Sequence, residues 1–423
     1  MDFSSRLPLE LLQKVFRHYL SDRAIPVQSF DHSDGLWVLG QVNSTWRCAA
    51  LSDASFWSSI KVTFAHPHDR LPVASFSTNA TNLLAPRPVA SFDGKQENGG
   101  IYMVTASNGV VESLAYILSR SRVTPLSLSL YFPIERSART IPSTWRTFFS
   151  LLTAESNRIQ SLKLVAPTAI WEDFSRIPPT RLPLLRKLHA TFAFENGSVL
   201  IPVISCCPSI INLKIGRRYD TPDISHFDGN SVRMPQLHRL AIRAPSFLDS
   251  VTAPNLNSLS LVDSTVPIPP PRPLSLRLGD FLHRSECVLT AFEFFWHDTL
   301  DELFIILSSM PTLESLSCHS DLDMAFYERM KLPSSILPRL RAFSLRPSAS
   351  IASRLLRALL ESDAHADTTP IIDMVESRLV GGKLESVYVG CLVVRILGNG
   401  AKKRLAALNA LPQVKIEIEQ LCA

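Results

Sequence analysis

Glycine is scarce in this chain, with 15 in 423 residues, and the phosphate-cradling loops of nucleotide-binding α/β enzymes depend on it. No G-x-G-x-x-G, P-loop, H-E-x-x-H or G-x-S-x-G motif occurs, so no catalytic residues are assigned and the protein is expected not to be an enzyme. The seven cysteines (Cys48, Cys206, Cys207, Cys287, Cys318, Cys391 and Cys422) make no C-x-x-C pair and no Cys/His cluster at zinc spacing. They read as reduced intracellular thiols, and neither a metal nor another cofactor is expected. Charge of one sign is also lacking. The 43 basic and 38 acidic residues are dispersed and leave a net charge of +5, which gives no electrostatic footprint for nucleic acid. No run approaches the length of a membrane span, and the opening residues have a charged helical pattern instead of a signal peptide. A cytoplasmic or nuclear location is expected, and the sequons at Asn43, Asn79 and Asn196 are then chance matches.

Proline, by contrast, is abundant at 30 residues, and six of them open copies of a repeated phrase. The phrase reads NRIQSLKL (157–164), PLLRKLHA (183–190), PSIINLKI (208–215), PQLHRLAI (235–242), PNLNSLSL (254–261), PTLESLSC (311–318), PRLRAFSL (338–345) and GKLESVYV (382–389). Its frame is P-x-L-x-x-L-x-[LI], with second anchors Leu162, Leu188, Leu213, Leu240, Leu259, Leu316, Phe343 and Val387. Spacings cluster near about 25 residues, the leucine-rich-repeat range. Alternate residues of a strand point to opposite faces, so the anchors go inward and the intervening residues face out, among them Lys163, Lys214, Arg239 and Arg341. The apolar stretches SVLIPVISCC (198–207) and LDELFIILSSM (300–310) fall between phrases as helices or irregular turns. One strand plus one such segment per unit predicts an irregular α/β solenoid over 109–423, stabilised by stacking of neighbours. The usual Asn or Cys of the strict leucine-rich pattern is not consistently placed, and a generic α/β sheet protein is the plainer alternative.

Two helical stripes precede the repeats. In LPLELLQKVFRHYL (7–20), Leu12, Val15, Phe16, Tyr19 and Leu20 share one face, and Pro8 suits the first turn. In LWVLGQVNSTWRCAAL (36–51), Leu36, Leu39, Val42, Trp46, Ala49 and Ala50 do the same, and SFWSSIKV (55–62) adds Trp57 and a short β-like run. Residues 1–62 thus read as a small all-α domain. Residues 63–108 read as a flexible linker or insertion rich in Pro, Ser and Asn, in which PVASF occurs twice and His66 and His68 are solvated. PIPPPRP (267–273) reads as a stiff loop, and GNGAKK (398–403) as a turn before a closing helix.

LPLELLQKVF (7–16), the V-x-x-x-W of Val42 to Trp46 and SFWSSI (55–60), in that order, resemble an F-box. The whole is similar to fungal-type F-box proteins with C-terminal leucine-rich repeats, and ESLAYILSRSRVTPLSLSLYF (112–132) resembles the segment that opens their repeats. The resemblance implies docking on a Skp-type adaptor of a cullin-RING ubiquitin ligase. Leu7 and Pro8 would start the docking helix, Leu12, Val15 and Phe16 would supply its apolar contacts, and Leu39, Val42 and Trp46 would add the second helix. Trp57 would pack the domain together. The loop over 21–35 is longer than the usual F-box has. The implied function is a substrate-recognition subunit, non-enzymatic, whose repeats bind a target protein for ubiquitin-dependent degradation. The alternative is an interaction scaffold without a ligase, with the N-terminal helices capping the solenoid.

Overall fold

The computed structural model describes residues 7–21, 35–64, 103–104, 108–132, 143–176, 182–192, 200–205, 207–217, 231–261, 272–294, 300–318, 324–331, 336–345, 369–380, 384–389, 399–410 and 415–418. The chain divides into two compact units, Met1–Ile210 and Ile211–Ala423. Both are mixed α/β with parallel strands.

Unit 1 opens with helices α1 (Leu9–Ser21), α2 (Gly35–Val42) and α3 (Ser44–Ser52) and a 3-10 turn, Ala54–Trp57. Strand β1 (Ser59–Phe64), strand β2 (Met103–Val104), helix α4 (Asn108–Ser121) and strand β3 (Leu126–Tyr131) follow. Helix α5 (Ser143–Ala154), β4 (Ile159–Ala166), α6 (Thr168–Ser175), β5 (Lys187–Phe192) and α7 (Leu200–Ser205) complete it. The strands lie side by side in the order β5-β4-β3-β1-β2. Parallel neighbours cannot be joined by a tight hairpin, so each connection crosses over, and several carry a helix.

Unit 2 contains β6 (Asn212–Arg217), β7 (Val232–Arg233), β8 (Arg239–Ile242), β9 (Val251–Thr252) and β10 (Ser258–Leu261). Then come α8 (Leu274–Ser285), β11 (Ala291–Phe294), α9 (Leu300–Ser308), β12 (Ser315–Cys318), α10 (Met324–Met330) and β13 (Ala342–Leu345). It ends with α11 (Thr369–Val380), β14 (Ser386–Val389), α12 (Asn399–Asn409) and β15 (Lys415–Ile418). Its main strands run β15-β14-β13-β12-β11-β10-β8-β6, while β7 and β9 pair with each other.

All eight phrases become strands, and the reason for their prolines is local. In six of them the residue before proline accepts a hydrogen bond from the first anchor: Leu185 to Leu182 at 3.3 Å, Ile210 to Cys207 at 3.2 Å, Leu237 to Met234 at 3.2 Å, Leu256 to Ala253 at 3.2 Å, Leu313 to Met310 at 3.1 Å and Leu340 to Leu337 at 3.2 Å. Proline at the second position of such a turn has its φ already set and needs no donor. Each turn drops two apolar residues inward: Met310 and Leu313, like their five counterparts, are buried. Within the strands burial alternates as the pattern predicts, buried at Leu162, Leu164, Leu259, Leu261, Leu316 and Cys318 and more open between. At β8, β10, β11, β12, β13 and β14 two successive N–H groups share one carbonyl of the preceding unit, as Glu314 and Ser315 do with the Thr290 carbonyl, both at 2.9 Å.

One boundary differs from the sequence reading. Position 62 lies inside β1, because Ile60 and Val62 pair with Leu128 and Leu130 and make β1 part of the sheet of unit 1. Strands β3, β11 and β15 lack the full phrase, yet β11 places Leu289, Phe292 and Phe294 where other units have their three anchors, without a proline. The repeated PVASF, His66, His68, the inter-helix residues 22–34 and most of PIPPPRP lie outside the described residues. GNGAKK enters α12, which Asn399 opens.

Candidate functional site

Helix α1 carries more apolar surface than one packing face can use. Leu12, Phe16 and Leu20, four residues apart, are buried. Phe16 lies 5.1 Å from the Trp46 ring and 6.3 Å from the Phe56 ring. The other edge of the stripe, Leu7, Leu11, Val15 and Tyr19, also at intervals of four, is exposed by 43%, 45%, 53% and 41%. Residues four apart lie one above the other on a helix, so the exposed residues from Leu11 onward continue in one row along α1. Polar bonds fix the rotation of the helix. Gln13 Nε2 donates to Ser52 Oγ at 3.0 Å and Arg17 Nη2 to Asp53 Oδ2 at 2.6 Å, with the Arg17 guanidinium 5.8 Å from the Phe56 ring centre.

Helices α2 and α3 are separated by Asn43, whose side chain accepts from the Trp46 N–H at 2.9 Å and caps α3. Trp57 is buried, donates from Nε1 to the Ala50 carbonyl at 2.9 Å, and meets the Trp37 ring at 5.3 Å and the Tyr116 ring at 5.9 Å. Of the residues singled out for docking, Leu7, Pro8, Val15 and Val42 are therefore exposed, Trp46 is half-buried, and Leu12, Phe16 and Leu39 are buried within the chain. The structure joins Phe16 to Trp46 and turns Val15 away from both Leu12 and Phe16. Sequence reasoning passed over Leu11 and Val38, both exposed. The interval Leu7, Leu11, Val15 was the available signal for the first.

No protein-family model matches the chain, and no curated protein matches it. The site is thus defined by its own geometry.

A second surface is formed by the outward positions of the strands. In unit 1 the register aligns Lys61, Ser129, Lys163 and His189 in one row, and Ser59, Ser127, Ser161 and Lys187 in the next. The Lys163 ammonium sits 5.0 Å from the Tyr131 ring centre. In unit 2 the corresponding rows include Lys214, Ala241, Ser260 and Glu293, and Arg239, Ser258, Ala291 and Ser315. There Ser260 Oγ donates to Glu293 Oε2 at 2.7 Å.

A shallow cleft of about 380 Å³ lies along α5 and α6, floored by Phe149 and Phe174 and rimmed by Arg146, Asp173 and Arg176. Arg176 is paired with Asp173 at 3.2 Å. Among the described residues no group of His, Cys, Asp and Glu side chains converges on a metal position, and no helix is long and apolar enough to cross a membrane.

Proposed function

We propose that the protein is a non-enzymatic substrate receptor: the N-terminal helices dock on a Skp-type adaptor of a cullin-RING ubiquitin ligase, and the strand units, as an α/β solenoid, hold a target protein. The observation that carries this reading is the exposed row Leu7, Leu11, Val15 and Tyr19 on a helix whose opposite apolar half is already packed. Docking falls to this row with Pro8 and, on α2, Val38 and Val42. Leu12, Phe16, Leu39 and Trp57 serve to hold the helices together. Transfer of ubiquitin belongs to other subunits, and the contribution here is proximity. The test is co-purification with the adaptor. The parent retains it, and a variant with Leu11→Asp and Val15→Asp loses it while keeping its circular dichroism. A folded parent that never retains the adaptor sinks the proposal.

One observation favours a second reading, a scaffold whose N-terminal helices are a cap. Trp57 and Trp37 pack on Tyr116 of α4, so the helical segment is tied to the first repeat. Under that reading the adaptor is not retained by parent or variant.

A further inference from the structure

Among the described residues the outward face of unit 1 is basic and its strands carry no compensating carboxylate. Strands β1, β3, β4 and β5 contain no aspartate or glutamate at any position. Among the described residues Lys61, Lys163 and Lys187 have no carboxylate partner. Between them the face is lined by Ser127, Ser129, Ser161 and Thr191, with His189 beside Lys163 in the same row. From this face we infer that unit 1 binds an extended acidic peptide segment, rich in Asp or Glu, lying across its strands.

Three features select that ligand. Neighbouring strands are about 4.8 Å apart, which puts Lys61 and Lys163, two strands apart, about 10 Å from each other. An extended peptide presents alternate side chains to one side at intervals of about 7 Å, and the long flexible lysine stems take up the difference, so its carboxylates reach successive lysines. The serine and threonine hydroxyls can both donate and accept, which suits a peptide backbone laid over them. Nucleic acid fits less well. A duplex contact of useful affinity neutralises about six to ten phosphates, against three lysines here. The aromatic side chain on the face, Tyr131, is covered by the Lys163 ammonium and offers no platform for a base.

The inference rests on the proposed receptor role only in identifying the bound segment as part of a target; binding itself is measured without adaptor. The full chain is titrated into a fluorescein-labelled peptide of alternating Glu and Ser, about twelve residues long, at low salt, and anisotropy is followed. The parent is expected to bind this peptide and not its Lys/Ser counterpart. Lys163→Glu with Lys187→Glu weakens binding by about tenfold or more, whereas Lys214→Glu with Arg239→Glu in unit 2 changes it by less than about twofold. Should the glutamate pair unfold by circular dichroism, Lys163→Gln with Lys187→Gln is read instead, with an expected loss of about threefold. A folded parent that ignores the acidic peptide, a folded Gln or Glu pair that binds like the parent, or tighter binding of an oligothymidylate than of the peptide overturns the inference.

Discussion

Unit 1 buries Arg158 and unit 2 buries Arg378, and the two arginines hold similar joints with different surroundings. Arg158, in the turn before β4, reaches the end of α4. It donates to the Leu118 carbonyl at 3.1 Å, the Thr124 carbonyl at 3.2 Å and Ser121 Oγ at 2.9 Å, and pairs with Glu155 at 2.7 Å. Arg378, in α11, reaches the end of α10. It donates to the carbonyls of Met330 at 2.8 Å, Leu337 at 3.0 Å and Ile336 at 3.0 Å, and no carboxylate faces it among the described residues. Helix ends leave carbonyls without intrahelical donors, and a planar guanidinium serves several at once. The comparison shows that backbone dipoles alone suffice to hold the cation. Burial pushes the Arg378 guanidinium down to about 10, which still leaves it charged at neutral pH.

Arg378→Met should have the largest effect. It leaves three carbonyls in a buried joint without this donor, and it removes an anchor from Leu337, which is held at φ 52° in the left-handed region. A loss of about 3 kcal/mol is expected. Arg158→Met should cost less, about 2 kcal/mol, because Ser121 Oγ also donates to the Leu118 carbonyl and the freed Glu155 is partly open to water. Urea unfolding separates the two. Trp37, Trp46, Trp57, Trp145 and Trp171 belong to unit 1 and only Trp296 to unit 2. Tryptophan emission should therefore follow Arg158→Met closely, and far-ultraviolet circular dichroism should register Arg378→Met more strongly than emission does. Equal losses for both variants would mean that the carboxylate and hydroxyl around Arg158 make no difference.

Neither arginine clasp could have been read from the sequence, because the carbonyls it gathers lie 34 to 48 residues away and carry no residue signature. The phrase was legible for the opposite reason. Its turn is closed within four residues by a backbone bond, and Met310, Pro311 and Leu313 encode it without reference to the rest of the fold. Where the anchors change to Phe292 and Phe294 and the proline is missing, the strand persists through alternation alone, a weaker signal. On α1 the apolar stripe was legible, but its division was not. Which half faces inward depends on where Trp46, Phe56, Ser52 and Asp53 fall in space, so Val15 and Leu12 looked equivalent.

Asp53 sharpens the contrast within unit 1, between a buried clasp and a tie at the surface. Its Oδ1 accepts from the Ser55 N–H at 2.9 Å, which opens the 3-10 turn, and its Oδ2 accepts from Arg17 of α1. Burial pushes the carboxyl up, but the bonds from Ser55 and Arg17 together outweigh it and hold the group below the ordinary 3.8. A carboxyl with a folded value below its unfolded one contributes stability that is fully present above the unfolded value and is lost as pH falls through the folded one. Arg17 is more than half exposed, so solvent screens its share, and Asn at this position would keep the cap. Asp53→Asn is therefore expected to cost only about 0.5 kcal/mol at pH 7. The difference from the parent should close as the pH falls below 3.8, and should shrink in high salt at neutral pH. Urea midpoints followed by tryptophan emission at a series of pH values check it. A gap that stays constant through the acid range would show that the charge on Asp53 contributes nothing and that the cost is the hydrogen bond from Arg17 to Oδ2, which an Asn amide nitrogen cannot accept.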